Sequence, residues 1–242
     1  MRATTIQDSE LAKRLQRETS AEVLFDDFSR GLYSTDASIY QIMPLGVVVP
    51  KTQDDVKTTL DIAFENGISV TMRGAGTSQC GQTVGEGIIV DVSKNLNRLV
   101  SVDPEKQQAT VEPGIVLDQL NGLLKKHGLF FPVDVSTSSR ATIGGMTANN
   151  SCGARSIRYG KMVDNVSEVD AVLSDGSSMR FGNWDKETAS AVPQAQKKLV
   201  GELIDLGVRE SEEVSKRFPR VQRRVGGYNL DVLSAETGSS LN

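Results

Sequence analysis

RGAGTSQCGQTVGEG, residues 73–87, follows directly on the apolar run GISVTM and leaves a long stretch of backbone bare of side chains. Such a stretch behind a strand serves either a ligand that must approach the main chain or a turn that no β-carbon can enter. A P-loop ends in Gly-Lys-Ser/Thr, whereas Gly81 is followed by Gln82 and Thr83, so no lysine is present for a terminal phosphate. A Rossmann fingerprint needs its third glycine at position 79, where Gln79 stands, and it opens a helix, while this stretch runs through Val84-Gly85 toward another strand. A serine-hydrolase elbow needs glycine two positions after Ser78, where Cys80 stands, and a partner histidine. The chain has one histidine, His127, which sits at the end of a helical pattern and reads as a residue facing the helix dipole. These exclusions leave a turn of consecutive backbone N–H groups. In it Gly74 and Gly76 take positive φ, Thr77 and Ser78 add hydroxyls and Arg73 adds charge, a nest suited to a diphosphate. The same glycines also suit a tight connection that binds nothing.

A second glycine-rich stretch, SSRATIGGMTANNSCGARSIRYG, spans Ser138 to Gly160. Thr142 stands at an N-cap position, and Gly144-Gly145 in the first turn are expected to let backbone amides and the helix N-terminus face an anion. Two such cradles on two lobes suggest one long ligand between them.

Around these stretches strands and helices alternate. LGVVVP, residues 45–50, reads as a strand; Thr52 with Asp55 makes a capping-box pattern; Val56, Leu60, Ala63 and Phe64 recur at helical spacing until Gly67. GISVTM resumes as a strand, followed by GIIVDV, Leu99–Val102 and QATVEP with a turn at Asp103-Pro104. A helix is expected from Ile115 to His127, ended by Gly128, and a hairpin joins Val166–Leu173 to Ser178–Phe181 through Asp175-Gly176. The fold class is therefore α+β, in two lobes divided near residues 92–98. From Trp184 to Arg224 the chain becomes rich in Lys, Glu, Arg and Gln, with Leu199, Leu203 and Leu206 at helical spacing and breaks at Pro193 and Pro219. The basic cluster Lys216, Arg217, Arg220, Arg223 and Arg224 reads first as a solvated face and second as an anion or partner patch.

Composition narrows the function. A net charge of −4 over 242 residues gives no general attraction for nucleic acid, so any phosphate must be held by local donors. No secretory apolar region and no apolar run of about 18 residues is present, which predicts a cytoplasmic chain without a transmembrane segment, or one peripheral to the inner membrane face. Cys80 and Cys152 lie far apart without zinc-ligand spacing and read as reduced thiols; no metal site is expected.

Taken together, YSTDASIYQIMPLGVVVPKTQDDV, RGAGTSQCGQ, PVDVSTSSRATIGGMTANNSCGARSIRYG and DNVSEVDAVLSDG resemble the FAD-binding domain of the vanillyl-alcohol oxidase (PCMH-type) superfamily. The resemblance is to the branch of FAD-linked D-2-hydroxy-acid dehydrogenases, which holds D-lactate dehydrogenases, glycolate oxidase flavin subunits and D-2-hydroxyglutarate dehydrogenases. It runs from about Gly31 to Gly182, with a weaker match at RRVGGYNLDVL. It implies a two-subdomain PCMH-type FAD-binding fold with extended FAD between the subdomains. The implied division is an N-terminal helical segment (1–37), subdomain 1 (38–95), subdomain 2 (96–183), and a charged helical insertion with the end of the flavin domain (184–242).

Carried over by motif, Arg73, Gly74, Ala75, Gly76, Thr77 and Ser78 form the first pyrophosphate loop, and Gly81 and Gln82 continue around the cofactor. Pro132, Asp134, Ser138 and Thr142 lie along its next stretch, and Gly144 and Gly145 make the second backbone contact. Asn150 and Gly153 occupy the family's Asn-Ala-Ser/Gly-Gly turn, from which Ser151 and Cys152 depart; Cys152 reads as a small apolar filler. Where some relatives tether the flavin through a histidine, Gln79 and Cys80 stand, so the implied FAD is non-covalent, with a thioether at Cys80 as the alternative. The implied chemistry is hydride removal from the α-carbon of a small 2-hydroxy acid to the flavin. In the family the substrate-binding and basic groups come mainly from a cap domain and histidine-rich motifs. Neither these nor the Ser-Glu-Gly-Thr motif expected after GYNLD is found, so a truncated product or a flavin subunit needing a partner chain is expected, and no catalytic residue is nominated. The electron acceptor stays open. Two alternatives remain: a relative of UDP-N-acetylenolpyruvoylglucosamine reductase, which shares the flavin fold, and a fragment that binds no flavin.

Overall fold

The structure, a computed structural model, describes residues 9–182, 193–221 and 224–233. The expectations for residues 1–8, for Trp184 to Val192, for Arg223 and for residues 234–242 lie outside these. The chain starts with α1 (Glu10–Glu18), N-capped by Ser9, and β1 (Glu22–Leu24), then α2 (Asp27–Tyr33), N-capped by Asp26. The N-terminal segment expected to be helical thus also supplies a strand. β2 (Gly46–Val49), β3 (Val70–Arg73) and β4 (Ile88–Asp91) complete a sheet of order β1-β2-β4-β3, parallel except for β1. GVVV and IIVD are buried at every position, as expected for parallel strands covered on both faces.

Between β2 and β3 runs α3 (Gln53–Glu65), which begins at the predicted capping box of Thr52 and Asp55 and stops at Gly67, φ 63°. Val56, Ile62 and Ala63 of α3 pack with Ala12 and Leu15 of α1 against Val48, Ile88 and Val90. Asp55 does more than cap. It is buried, and its carboxylate accepts hydrogen bonds from the Ser20 N–H (2.7 Å), the Ser20 hydroxyl (2.8 Å), the Lys51 N–H (2.9 Å) and the Thr52 N–H (3.0 Å). One side chain therefore ties the end of β2, the start of α3 and the turn after α1.

A second core is built from Ile115, Leu117, Leu120, Leu124, Val133, Ile143, Met146 and Met162. Its elements are the antiparallel pair β5 (Leu99–Asp103) and β6 (Gln108–Val111), α4 (Leu117–Leu124) and three short helices, α5 (Ile143–Ala148), α6 (Ser156–Tyr159) and α7 (Met162–Asn165). The helix expected from Ile115 is shorter than predicted: residues 115–117 instead pair with residues 141–143. The Leu117 N–H donates to the Ala141 carbonyl (3.0 Å) and the Ile143 N–H to the Ile115 carbonyl (2.9 Å). The end of α4 tightens into a 3-10 turn, Lys125–His127, closed by Gly128 at φ 70°. Glu112, buried after β6, accepts from the Arg98 backbone (2.8 Å) and from its guanidinium (2.7 Å), and this arginine holds its carboxyl below the usual range.

β7 (Val169–Val172) and β8 (Ser178–Phe181) form the predicted hairpin through Asp175-Gly176. α8 (Gln194–Arg209) packs Val200 against Met179 of this hairpin, and α9 (Ser211–Arg217) follows. Among the described residues no helix is long and apolar enough to cross a membrane.

Burial works against the Asp55 charge, but its hydrogen bonds from Ser20, Lys51 and Thr52 outweigh this and hold the carboxyl below the usual aspartate range. A depressed carboxylate stabilises the fold above its unfolded value and loses that contribution as pH falls through the folded value. Asp55→Asn is therefore expected to destabilise the chain by about 2 kcal/mol at neutral pH. In urea denaturation at a series of pH values, the gap between the two proteins should close only on the acid side.

Candidate cofactor site

The first glycine-rich loop is held in shape by the residue that opens it. Arg73 does not turn its guanidinium outward: Nη1 donates to the carbonyls of Tyr33 (3.3 Å) and Thr83 (3.2 Å), and Nη2 to that of Thr35 (2.9 Å). The guanidinium also lies 5.2 Å from the centre of the Tyr33 ring. Tyr33 is fixed in turn, its hydroxyl donating to Asp91 at 2.6 Å; burial, then this carboxylate, pushes the phenol well above its usual range. Thr83 closes the loop with a second tie, its hydroxyl donating to Asp36 at 3.0 Å.

The glycines fill more specific needs than the sequence reading supplied. Gly76 takes the expected positive φ, 67°, and its carbonyl accepts from the Ala37 N–H at 3.0 Å; a β-carbon there would come 2.6 Å from Arg73 Nη2. Gly81, at φ 72°, sits against Tyr40, whose ring a β-carbon would meet at 2.5 Å. Gly74 was expected to need positive φ and does not. It needs space, because a β-carbon would lie 2.2 Å from Thr142 Oγ1. Ser78 bonds within the loop, donating to Gln82 Oε1 at 2.5 Å and accepting from the Cys80 N–H at 3.2 Å. By contrast, the backbone N–H groups from Gly74 through Gln79 donate to nothing among the described residues. Ala75 and Gln79 in this run are exposed and the others half-buried.

The second stretch meets the first directly. Besides the contact of Thr142 with Gly74, Gln82 Nε2 lies 3.4 Å from Asn149 Oδ1. Here one expectation is corrected: the amides at the start of α5 do not face outward. The Gly144 N–H donates to the Pro113 carbonyl (2.8 Å), the Gly145 N–H to Thr142 Oγ1 (3.3 Å) and the Met146 N–H to the Thr142 carbonyl (2.8 Å). The pairing of residues 115–117 with 141–143 turns them inward. Gly144 is glycine because a β-carbon would press on Pro113 at 2.6 Å, and Gly153 because one would lie 1.8 Å from the Asp134 carbonyl oxygen. Asp134 organises that turn, its Oδ1 accepting from the Arg155 N–H at 2.9 Å. Ser138 shapes a turn through backbone bonds with Val135 (3.1 Å) and Asp118 (3.2 Å), and Pro132 is half-buried beside the core residue Val133.

Asn150 is the unusual residue of the set. It holds φ at 44°, in the left-handed region, and its Oδ1 accepts from the Val163 N–H at 3.0 Å. Its Nδ2 is buried without a hydrogen-bond partner. A buried amide donor left unpaired costs about 1–3 kcal/mol, so this is where a ligand acceptor is wanted. Thus Gly74, Gln82, Thr142 and Gly145 are brought together, and Asp134 with Gly153 shapes an adjoining turn. Sequence reasoning missed Tyr33, Thr35, Asp36, Tyr40 and Asn149. The doubled asparagine of ANN was the available signal for Asn149; the others lie in YSTDASIY, residues 33–40, a stretch that carries the resemblance but was given no site role.

A family model described as an FAD binding domain matches residues 44–182, more than half of the chain. The chain belongs to this FAD-binding domain family. The chain is 35% identical over 223 residues to a D-2-hydroxyglutarate dehydrogenase of Pseudomonas putida, covering 90% of the chain and 22% of that protein. It is 37% identical over 162 residues to the glycolate oxidase subunit GlcD of Bacillus subtilis, covering 65% of the chain and 34% of that protein. A carbohydrate oxidase from Microdochium nivale shares the fold, with a TM-score of 0.62 at 20% identity over 72% of this chain and 37% of that one. The FAD-binding domain thus spans about a fifth of the length of the dehydrogenase it matches.

The residues fit the cofactor. Consecutive free N–H groups on a loop with a left-handed glycine suit a diphosphate, and the unpaired Asn150 amide suits a flavin acceptor atom. Gly76→Val, which forces a β-branched residue to positive φ against Arg73, is expected to cost about 2 kcal/mol of stability and to abolish FAD uptake, read by urea denaturation and by flavin absorbance co-eluting in gel filtration. Asn150→Asp keeps the acceptor to Val163 but replaces the free donor. It should weaken FAD binding about tenfold in a fluorescence titration while leaving the circular dichroism spectrum unchanged.

Proposed function

We propose that this FAD-binding domain holds a non-covalent flavin for the oxidation of a small D-2-hydroxy acid. The observation that carries the reading is the run of unspent N–H groups from Gly74 to Gln79, set against Thr142 and Asn149 of the second stretch. The loop from Gly74 to Ser78 binds the diphosphate, with Gly81 and Gln82 continuing the wall. Thr142, Gly144 and Gly145 set the distance between the walls through their own packing, not through outward amides. Pro132, Asp134, Ser138 and Gly153 shape the turns beside it, and Asn150 donates to the flavin. The two separate cores support a division between subdomains just after Leu96, which packs in the first core, whereas the second core takes residues from Leu99 onward.

FAD, when bound, supplies the hydride acceptor. The chain's part is to position it and to keep its loops rigid. The choice of hydroxy acid follows the named relatives, a D-2-hydroxyglutarate dehydrogenase and a glycolate oxidase subunit. Their length relative to this chain supports placing the substrate-binding and basic groups in a cap domain or partner chain. His127, at the end of the 3-10 turn after α4, is given no role in the reaction.

The test is to load the purified chain with FAD, remove the excess, and mix it anaerobically with D-2-hydroxyglutarate, D-lactate or glycolate while recording the flavin band. A yellow chain that bleaches only when a cap domain or partner chain is supplied is the expected result. A folded chain that takes up no flavin would overturn the reading.

A further inference from the structure

A groove of about 380 Å3 opens between the turn before α7 and the segment after α9. Lys161 lines it from the former; Phe218, Pro219, Arg220 and Arg224 line it from the latter, with Asp231. Its volume falls in the range of small-molecule sites, roughly 300–1,000 Å3. Its charges do not balance. Arg224 is already engaged: it pairs with Asp231 at 2.5 Å and its guanidinium lies 4.4 Å from the centre of the Phe218 ring. Lys161 has no carboxylate partner among the described residues, and its ammonium donates only to the Arg224 carbonyl, at 3.4 Å. Arg220 is in the same position, donating only to the Ser215 carbonyl at 3.4 Å.

Among the described residues, the carboxylates of this region have other partners. Asp231 is held by Arg224, Asp164 accepts from the Lys161 backbone N–H at 2.8 Å, Glu212 pairs with Lys216 at 2.5 Å and Glu213 pairs with Arg217. Among the described residues, two cations without a carboxylate partner, Lys161 and Arg220, therefore come from different elements to share one groove with the apolar surfaces of Phe218 and Pro219. A ligand that satisfies both carries two negative charges separated by an apolar spacer.

We propose that this groove is a binding site for a small dicarboxylate, with one carboxylate on the Lys161 ammonium and the other on the Arg220 guanidinium, a planar fork matched to a carboxylate. Inorganic phosphate puts its charge on one centre and offers nothing to the apolar surface. The site adjoins the turn that carries Asn150: the Met162 N–H donates to the Ser151 carbonyl and the Val163 N–H to Asn150 Oδ1, each at 3.0 Å. The proposal requires no flavin, so it stands or falls apart from the cofactor reading.

Isothermal titration of the flavin-free 242-residue chain with glutarate, butyrate and inorganic phosphate tests it. Glutarate should bind saturably, one per chain, with butyrate and phosphate weaker by at least about tenfold. Lys161→Met and Arg220→Gln should each weaken glutarate about tenfold, whereas Lys216→Met, outside the groove, should change nothing. Arg220 is exposed, so its variant reads binding without a folding defect. Absence of saturable glutarate binding, phosphate binding as tight as glutarate, or full glutarate affinity in both groove variants would each overturn the proposal. FAD uptake by the same samples, measured separately, keeps failure of this site distinct from failure of the cofactor site.

Discussion

The site depends on one contact: the hydroxyl oxygen of Thr142 stands 2.2 Å from where a β-carbon on Gly74 would be. Glycine at position 74 lets the loop leaving β3 lie against the start of α5, and this approach, with the Gln82–Asn149 contact, sets two glycine-rich stretches from separate cores side by side. The contact is maintained from both directions. On one side Arg73, with three carbonyl acceptors and the face of Tyr33, holds the loop down. On the other, pairing of residues 115–117 with 141–143 fixes Thr142, which is 2% exposed and has no freedom to retreat. A charged side chain that the sequence offered as a ligand group is thus used as a clamp on its own main chain.

Much of the fold was legible because its signals are local. The capping box at Thr52 and Asp55, the left-handed glycines at 67 and 128, and the Asp175-Gly176 turn each depend on residues a few positions apart, and the structure has all of them. The start of α4 was not legible, since the residues expected to open it are paired with a segment more than twenty positions away, and helical periodicity carries no record of that competition. The same pairing hid the direction of the Gly144 and Gly145 amides. A glycine pair at a helix start looks alike whether its N–H groups face a ligand or a proline carbonyl; the β-carbon test at Pro113 separates the two.

Local reading suggested one long ligand between two cradles; family resemblance supplied its identity as FAD, and the match to an FAD binding domain over residues 44–182 bears out that cofactor. The resemblance did not supply the platform beneath the first loop. Tyr33, Thr35 and Asp36 belong to a stretch that carries the resemblance, but they act through backbone carbonyls, an aromatic face and one carboxylate, roles that residue identity alone does not spell out.

That platform bears on the order in which the site is made. Every partner that clamps Arg73 lies between Tyr33 and Thr83, so all of them have left the ribosome before Thr142 is translated. Domains synthesised from the N-terminus fold as their segments emerge. The first wall can therefore reach its final shape as a half-site, with its N–H groups in water, and the second wall is fitted to it afterwards. On that order the second surface docks on a first one already clamped, and the first wall owes none of its clamping contacts to FAD.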